Sequence, residues 1–164
     1  MAMTVLSGVP LMWQKSNGVC WYASARMVYT WAKANGKGSM TDPAADPGYF
    51  QRYNNGGDVA CTQNWHIAQQ FHMQKHTDIK MDYASVNSVL QKNGPIWTGL
   101  RKNWDGNDHG HVVVICGVAD TGVLIHDPEP MHQGTAKWLT WDQITKAVKG
   151  LEKDAPNPQF LTAA

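Results

Sequence analysis

The chain has 164 residues and a mass of 18.2 kDa, a length for one domain spanning residues 1–164 and too short for two independent cores. Fourteen Lys and Arg against thirteen Asp and Glu leave a formal charge of +1 with no basic run, so a nucleic-acid partner held through phosphates is excluded. A hydrophobic fraction of 43% with eight Trp supplies enough apolar surface for a core, and excludes intrinsic disorder.

Met1 to Gln14 lacks a basic cluster followed by the roughly 7–15 apolar residues of a secretory signal. No stretch approaches the roughly 18 apolar residues of a membrane span. Neither a leader nor a membrane partner is therefore expected. Three cysteines, Cys20, Cys61 and Cys116, are odd in number and form no CxxC pair, so free thiols are expected rather than a disulfide framework.

After a loop over Gly8 to Val19, the run Cys20 to Ala34 contains no Gly or Pro and places Cys20, Ser24, Met27 and Trp31 on one helical face. Gly36 and Gly38 stop that helix. The segment Asp42 to Asp58 is rich in turn residues, with one short helix around Tyr49 to Tyr53. Thr62 suits the cap of a helix reaching about His72, and Ser85 to Lys92 reads as another, stopped by Gly94 and Pro95. From Pro95 the pattern changes to strands: Ile96 to Arg101, His111 to Val118, Val123 to His126 and Ala136 to Leu139. Asp120-Thr121-Gly122 suits a tight turn, which brings His111 and Asp127 to the same edge of the sheet. A last helix starts at Thr140 with Gln143 in capping-box position, runs to about Lys149, and leaves a polar tail. Helices first and an antiparallel sheet afterwards predict an α+β fold.

A thiol at a helix start meets partial positive charge and backbone N–H groups, which favour a thiolate. Cys20 occupies such a place. Acyl transfer through it needs a base, a group orienting that base, and donors for the oxyanion. His111 suits the base, Asp127 its orienting acceptor, and Gln14, six residues before Cys20, an oxyanion donor beside the Cys20 N–H. His109 competes with His111 as base, and His111 is preferred because it abuts the apolar strand. His72 and His76 stand four apart without a following Glu, so no metal and no cofactor are expected. Cys61 and Cys116 read as core hydrophobes, and His126 and His132 as surface or loop residues.

These residues carry a resemblance. Gln14-Lys-Ser-Asn-Gly-Val-Cys20-Trp21-Tyr-Ala-Ser24 resembles the active-site segment of papain-like cysteine peptidases, which have a Gln six residues before the nucleophile and a Gly two before it. Gly110-His111-Val-Val-Val and Leu124-Ile-His-Asp127-Pro128 are similar to the segments carrying the second and third members. Gly94-Pro95-Ile-Trp-Thr-Gly-Leu resembles the short bacterial branch of bacteriocin-processing peptidases and plant-pathogen effector proteases. The likeness runs over roughly Val9 to Trp141. It implies a papain-like fold with the nucleophile at a helix start packed on a C-terminal sheet, and a cysteine protease acting on protein or peptide substrates. It further implies an effector or toxin with a cognate immunity or inhibitor protein, resident in a bacterial cytoplasm or delivered by a specialised secretion system. The same Cys/His/Asp set serves transglutaminases and peptidoglycan amidases, and a non-catalytic peptide-binding module is the alternative from outside enzymes.

Overall fold

The computed structural model describes residues 1–58, 64–77, 79–106, 108–152 and 159–163. Helix α1 (Cys20–Ala34) has the bounds its sequence spacing predicts, and Cys20, Ser24, Met27 and Trp31 are all buried along its inner face. That face lies on the sheet, packing with Trp97, Val112, Val114 and Leu161 in one apolar cluster. Helix α2 (Pro47–Asn54) starts at Pro47 and is capped by Asp46, whose side chain accepts from the Tyr49 N–H at 3.0 Å. Its Tyr53 stacks on Tyr22 at 3.9 Å between centroids, and Tyr49 meets the edge of Trp21 at 5.7 Å. The turn-rich middle segment is thereby fastened to the first turn of α1.

Helix α3 (Asn64–Gln70) ends before His72, and the residue expected to cap it, Thr62, lies outside the described residues, as does Cys61. Helix α4 (Tyr83–Asn93) begins two residues earlier than predicted because Asp82 caps it, accepting from the Ser85 N–H at 2.8 Å. Gly94 follows with φ +92, and a Cβ there would run into the Trp31 ring. Only glycine serves both demands. Helix α5 (Trp141–Glu152) carries the predicted capping box: Thr140 N donates to Gln143 Oε1 at 2.9 Å and Gln143 N to Thr140 Oγ1 at 3.2 Å.

Seven strands among the described residues make one antiparallel sheet: β1 (Met3–Val5), β2 (Met73–His76), β3 (Ile96–Lys102), β4 (His109–Ala119), β5 (Gly122–Asp127), β6 (Thr135–Thr140) and β7 (Phe160–Ala163). The order is β2-β7-β3-β4-β5-β6, with β1 paired to β4. A register shift between Ile115 and Gly117 makes Cys116 the extra residue of a bulge in β4. Away from α1, helices α4 and α5 cover a second cluster dominated by Ile, Leu and Val, among them Leu100, Ile115, Ile125, Leu139 and Ile144. The chain is α+β, with helices in its first part and the antiparallel sheet in its second.

Two expectations are corrected. The C-terminal segment is not simply a polar tail, because Phe160 to Ala163 enters the sheet between β2 and β3, fully buried. The first part contains strands β1 and β2 as well as helices. Such strands carry only three or four residues each, too few for alternation to register, and long-range pairing supplies what propensity does not.

Candidate active site

Cys20 is the first residue of α1, after a Val19 cap position where no described side chain bonds the helix end. The first N–H groups of the helix thus stay available to negative charge at the sulfur. One turn on, buried Ser24 Oγ donates to Val112 O at 3.3 Å, and the Trp97 indole donates to Trp21 O at 3.1 Å. The first bond sets the helix start against the β4 residue adjoining His111, and the second ties it to β3. Trp21 itself is buried, its indole N–H donating to Gly57 O at 3.2 Å.

His111 lies near the beginning of β4 and Asp127 at the end of β5, the edge the tight turn predicts. His111 Nε2 meets Asp127 Oδ1 at 2.7 Å, and both residues are buried. The other ring nitrogen, Nδ1, lies 3.0 Å from Glu129 Oε1, and His111 also hydrogen-bonds Cys20. Burial pushes the imidazolium toward neutrality, but the Cys20 charge and the bonds to Asp127 and Cys20 outweigh it and lift the pKa to about 10. Asp127 is balanced the same way: burial raises its pKa, yet the His111 and Lys102 contacts and the Glu129 N–H hold it below the ordinary carboxylate range.

Gln14 is 2% exposed and reaches the same cleft. Its backbone is clamped to the turn after Asp127, since Gln14 N donates to Pro128 O at 3.0 Å and His132 N donates to Gln14 O at 3.3 Å. His126 Nδ1 meets Pro10 O at 3.0 Å and the His132 ring packs on Trp13. Read from sequence as surface or loop residues, these two histidines steady the segment bearing Gln14. Gln14 Oε1 is buried with no partner among the described residues. A cleft of about 650 Å³ joins Gln14, Gly18, Cys20, His109, His111 and Glu129.

Sequence reasoning passed over Lys102 and Glu129. Lys102 is 3% exposed and lies 2.7 Å from Asp127 Oδ2, 2.9 Å from Asp105 Oδ2 and 3.9 Å from Glu129 Oε2. Burial lowers its pKa, but the hydrogen bonds to Asp127 and Asp105 prevail and the net shift is upward. The available signal was positional. Lys102 and Leu100 oppose His109 and His111 across β3 and β4, and Glu129 follows Asp127 by two.

His72 and His76 do not share a helix. His72 sits at φ +51 after α3, its Nδ1 at 2.6 Å from Thr41 Oγ1, whereas His76 is on β2 beside Thr162 Oγ1 at 2.8 Å. Cys116 is a buried strand thiol whose pKa burial pushes to about 12, leaving it inert at neutral pH.

A helix-start thiol and an imidazole lining one cleft, with a buried carboxylate bonded to the imidazole behind them, can carry covalent acyl transfer. Residues 4–143 match the family described as papain-like cysteine protease AvrRpt2. The chain belongs to this family of papain-like cysteine proteases. A crystal structure described as that of a C39-like peptidase from Bacillus anthracis is similar over 100% of this chain and 98% of that one, with a TM-score of 0.63 and 14% identity. At that identity the likeness bears on the fold, which is papain-like. No curated protein matches the sequence. No helix among the described residues is long and apolar enough to cross a membrane.

Proposed function

We propose that the chain is a cysteine endopeptidase in which Cys20 is the nucleophile, His111 the general acid and base, Asp127 the group that orients it, and Gln14 an oxyanion donor. The observation that carries this reading is His111, buried, bonded through Nε2 to Asp127 and also bonded to Cys20. The Cys20 thiolate attacks the scissile carbonyl carbon, and the oxyanion is met by the Cys20 N–H and the Gln14 amide. Collapse breaks the C–N bond while His111 Nδ1 gives its proton to the departing amine, leaving a thioester on Cys20. A water then loses a proton to His111 and attacks the thioester, releasing the acid and restoring the thiolate–imidazolium pair.

The test combines labelling with cleavage. At about pH 5, where ordinary thiols are protonated, iodoacetamide should add once, rapidly, to Cys20, and the rate should collapse in His111→Ala. Slow labelling shared with Cys116 would overturn the assignment. Cys20→Ala should reduce cleavage of a protein substrate by on the order of 10⁴-fold or more, with products heavier by one water. Loss of ammonia would instead mean cross-linking. With His111 held near pKa 10, its deprotonation should place the alkaline limb of kcat/KM near pH 10 rather than near the ordinary histidine value.

The proposal extends to a delivered antibacterial or host-directed effector with a neutralising inhibitor. The family match and the small catalytic unit support it. Expression in a susceptible cytoplasm should slow growth and change the size of a target protein, and Cys20→Ala should do neither.

A further inference from the structure

His109 is the part of the His109-Gly110-His111 motif that peptide cleavage does not use. Two residues apart on β4, the two imidazoles stand on one face with centroids 5.3 Å apart. Glu129 Oε1 meets both: 2.8 Å from His109 Nε2 and 3.0 Å from His111 Nδ1. The three donor atoms lie within 4.8 Å of one another. Two imidazole nitrogens and one carboxylate oxygen are the ligand set of a three-residue zinc site with an open fourth position.

The surroundings suit a cation. His111 offers Nδ1 to the cluster while Nε2 is held by Asp127 at 2.7 Å, the carboxylate-histidine arrangement that fixes the ring of a metal ligand. Around the cluster stand Asp105, Asp127 and Glu129 against one Lys102, three negative charges and one positive, leaving −2 before the imidazoles are counted. Lys102 approaches Glu129 at Oε2 and leaves Oε1 toward the imidazoles. The His109 side chain is 39% exposed and lines the cleft, so an ion has a route in.

We propose that His109, His111 and Glu129 form a binding site for a zinc-class divalent metal ion, and that its occupation switches the peptidase off. Coordination uses the lone pairs of His109 Nε2 and His111 Nδ1, so any protons on them leave to solvent. With Nδ1 committed to the metal, His111 can neither give a proton to the departing amine nor take one from water. Binding stands by itself, whereas the inhibitory consequence rests on the proposed peptidase reading.

The experiment is calorimetric titration of the chelator-treated protein with Zn²⁺ alone, repeated with Co²⁺ while recording the visible spectrum. One ion per chain should bind, and Co²⁺ should develop the intense visible bands of a low-coordinate site. His109→Ala and Glu129→Gln should each weaken binding by roughly 100-fold or more, beyond the loss typical of removing even an outer partner. Cys20→Ala should keep affinity within a few fold and keep the Co²⁺ bands. Unfolding midpoints in chelator should agree between the wild type and His109→Ala, whose changed side chain is partly exposed. Where cleavage is measured, Zn²⁺ should inhibit over the concentration range in which it binds, and His109→Ala should resist by the same factor. Affinity unchanged in both ligand variants, binding lost only in Cys20→Ala, or no stoichiometric site overturns the metal site. Tight binding without inhibition of an active enzyme overturns the switch alone.

Discussion

The two ends of the β4–β5 hairpin are built on opposite principles. At its closed end, beside the Asp120-Thr121 turn, Val118 and Val123 are fully buried and pack with Leu139 and Ile144. At its open end the same two strands bring His109, His111 and Asp127 together, joined by Lys102 from β3 and by Glu129 just past β5. Apolar packing is non-directional and answers mainly to volume, so the closed end tolerates exchanges that conserve size. Buried charges answer to partners, so the open end holds only while each charge keeps its neighbour. The candidate site lies at the end where charged groups fix one another.

Removing Asp127 should separate the ends most sharply. Asp127→Ala takes from buried Lys102 its shortest carboxylate contact, leaving Asp105 at 2.9 Å, and leaves buried His111 unoriented, which should cost about 3–5 kcal/mol of stability in urea unfolding. It should also lower kcat/KM by on the order of 10⁴-fold, as loss of an orienting carboxylate does in triads. Because Asp127 is held below the ordinary carboxylate range, its contribution to stability is present above roughly pH 3.9 and fades as pH falls through the depressed value. The difference in unfolding free energy between the wild type and Asp127→Asn should therefore shrink as pH falls below 4.

Leu139→Ala, in the apolar cluster at the closed end, should cost roughly 2–5 kcal/mol while kcat/KM per folded molecule stays at the wild-type value. A comparable loss of activity there would erase the contrast between the ends. Lys102→Met should cost less than Asp127→Ala, about 1.5–3 kcal/mol for a charged hydrogen bond, because Asp127 keeps His111 and the Glu129 N–H. Equal destabilisation by the two variants would mean that Lys102, not Asp127, organises the cluster. Ser24→Ala is the smallest change. Loss of one buried hydrogen bond to Val112 should cost about 1 kcal/mol yet still lower kcat, since that bond sets α1 against β4.

The sequence was most legible where local rules suffice. Helix α1 could be delimited to the residue because a run free of Gly and Pro carries buried positions at helical spacing and glycines follow it. The Asp120-Thr121-Gly122 turn brings the ends of β4 and β5 together, which is why His111 and Asp127 could be paired across sixteen residues of sequence. Local rules fail at β7: four residues, three of them apolar, look like nothing until β2 and β3 flank them. They also fail at Lys102, which in sequence is one lysine among several and becomes a buried cation only when Asp105 and Asp127 close around it.

By itself the sequence determined which residues could do chemistry: a cysteine opening a helix, a glutamine six residues earlier, and an imidazole and a carboxylate at neighbouring strand ends. Periodicity and turn chemistry are properties of short segments, and they survive being read one at a time. Tertiary structure alone decided the electrostatic surroundings of those residues. It placed Lys102 on Asp127, turned Glu129 onto both His109 and His111, and clamped Gln14 through His132 and Pro128. Charge interactions depend on distance and burial, and both are fixed only when strands far apart in sequence have paired.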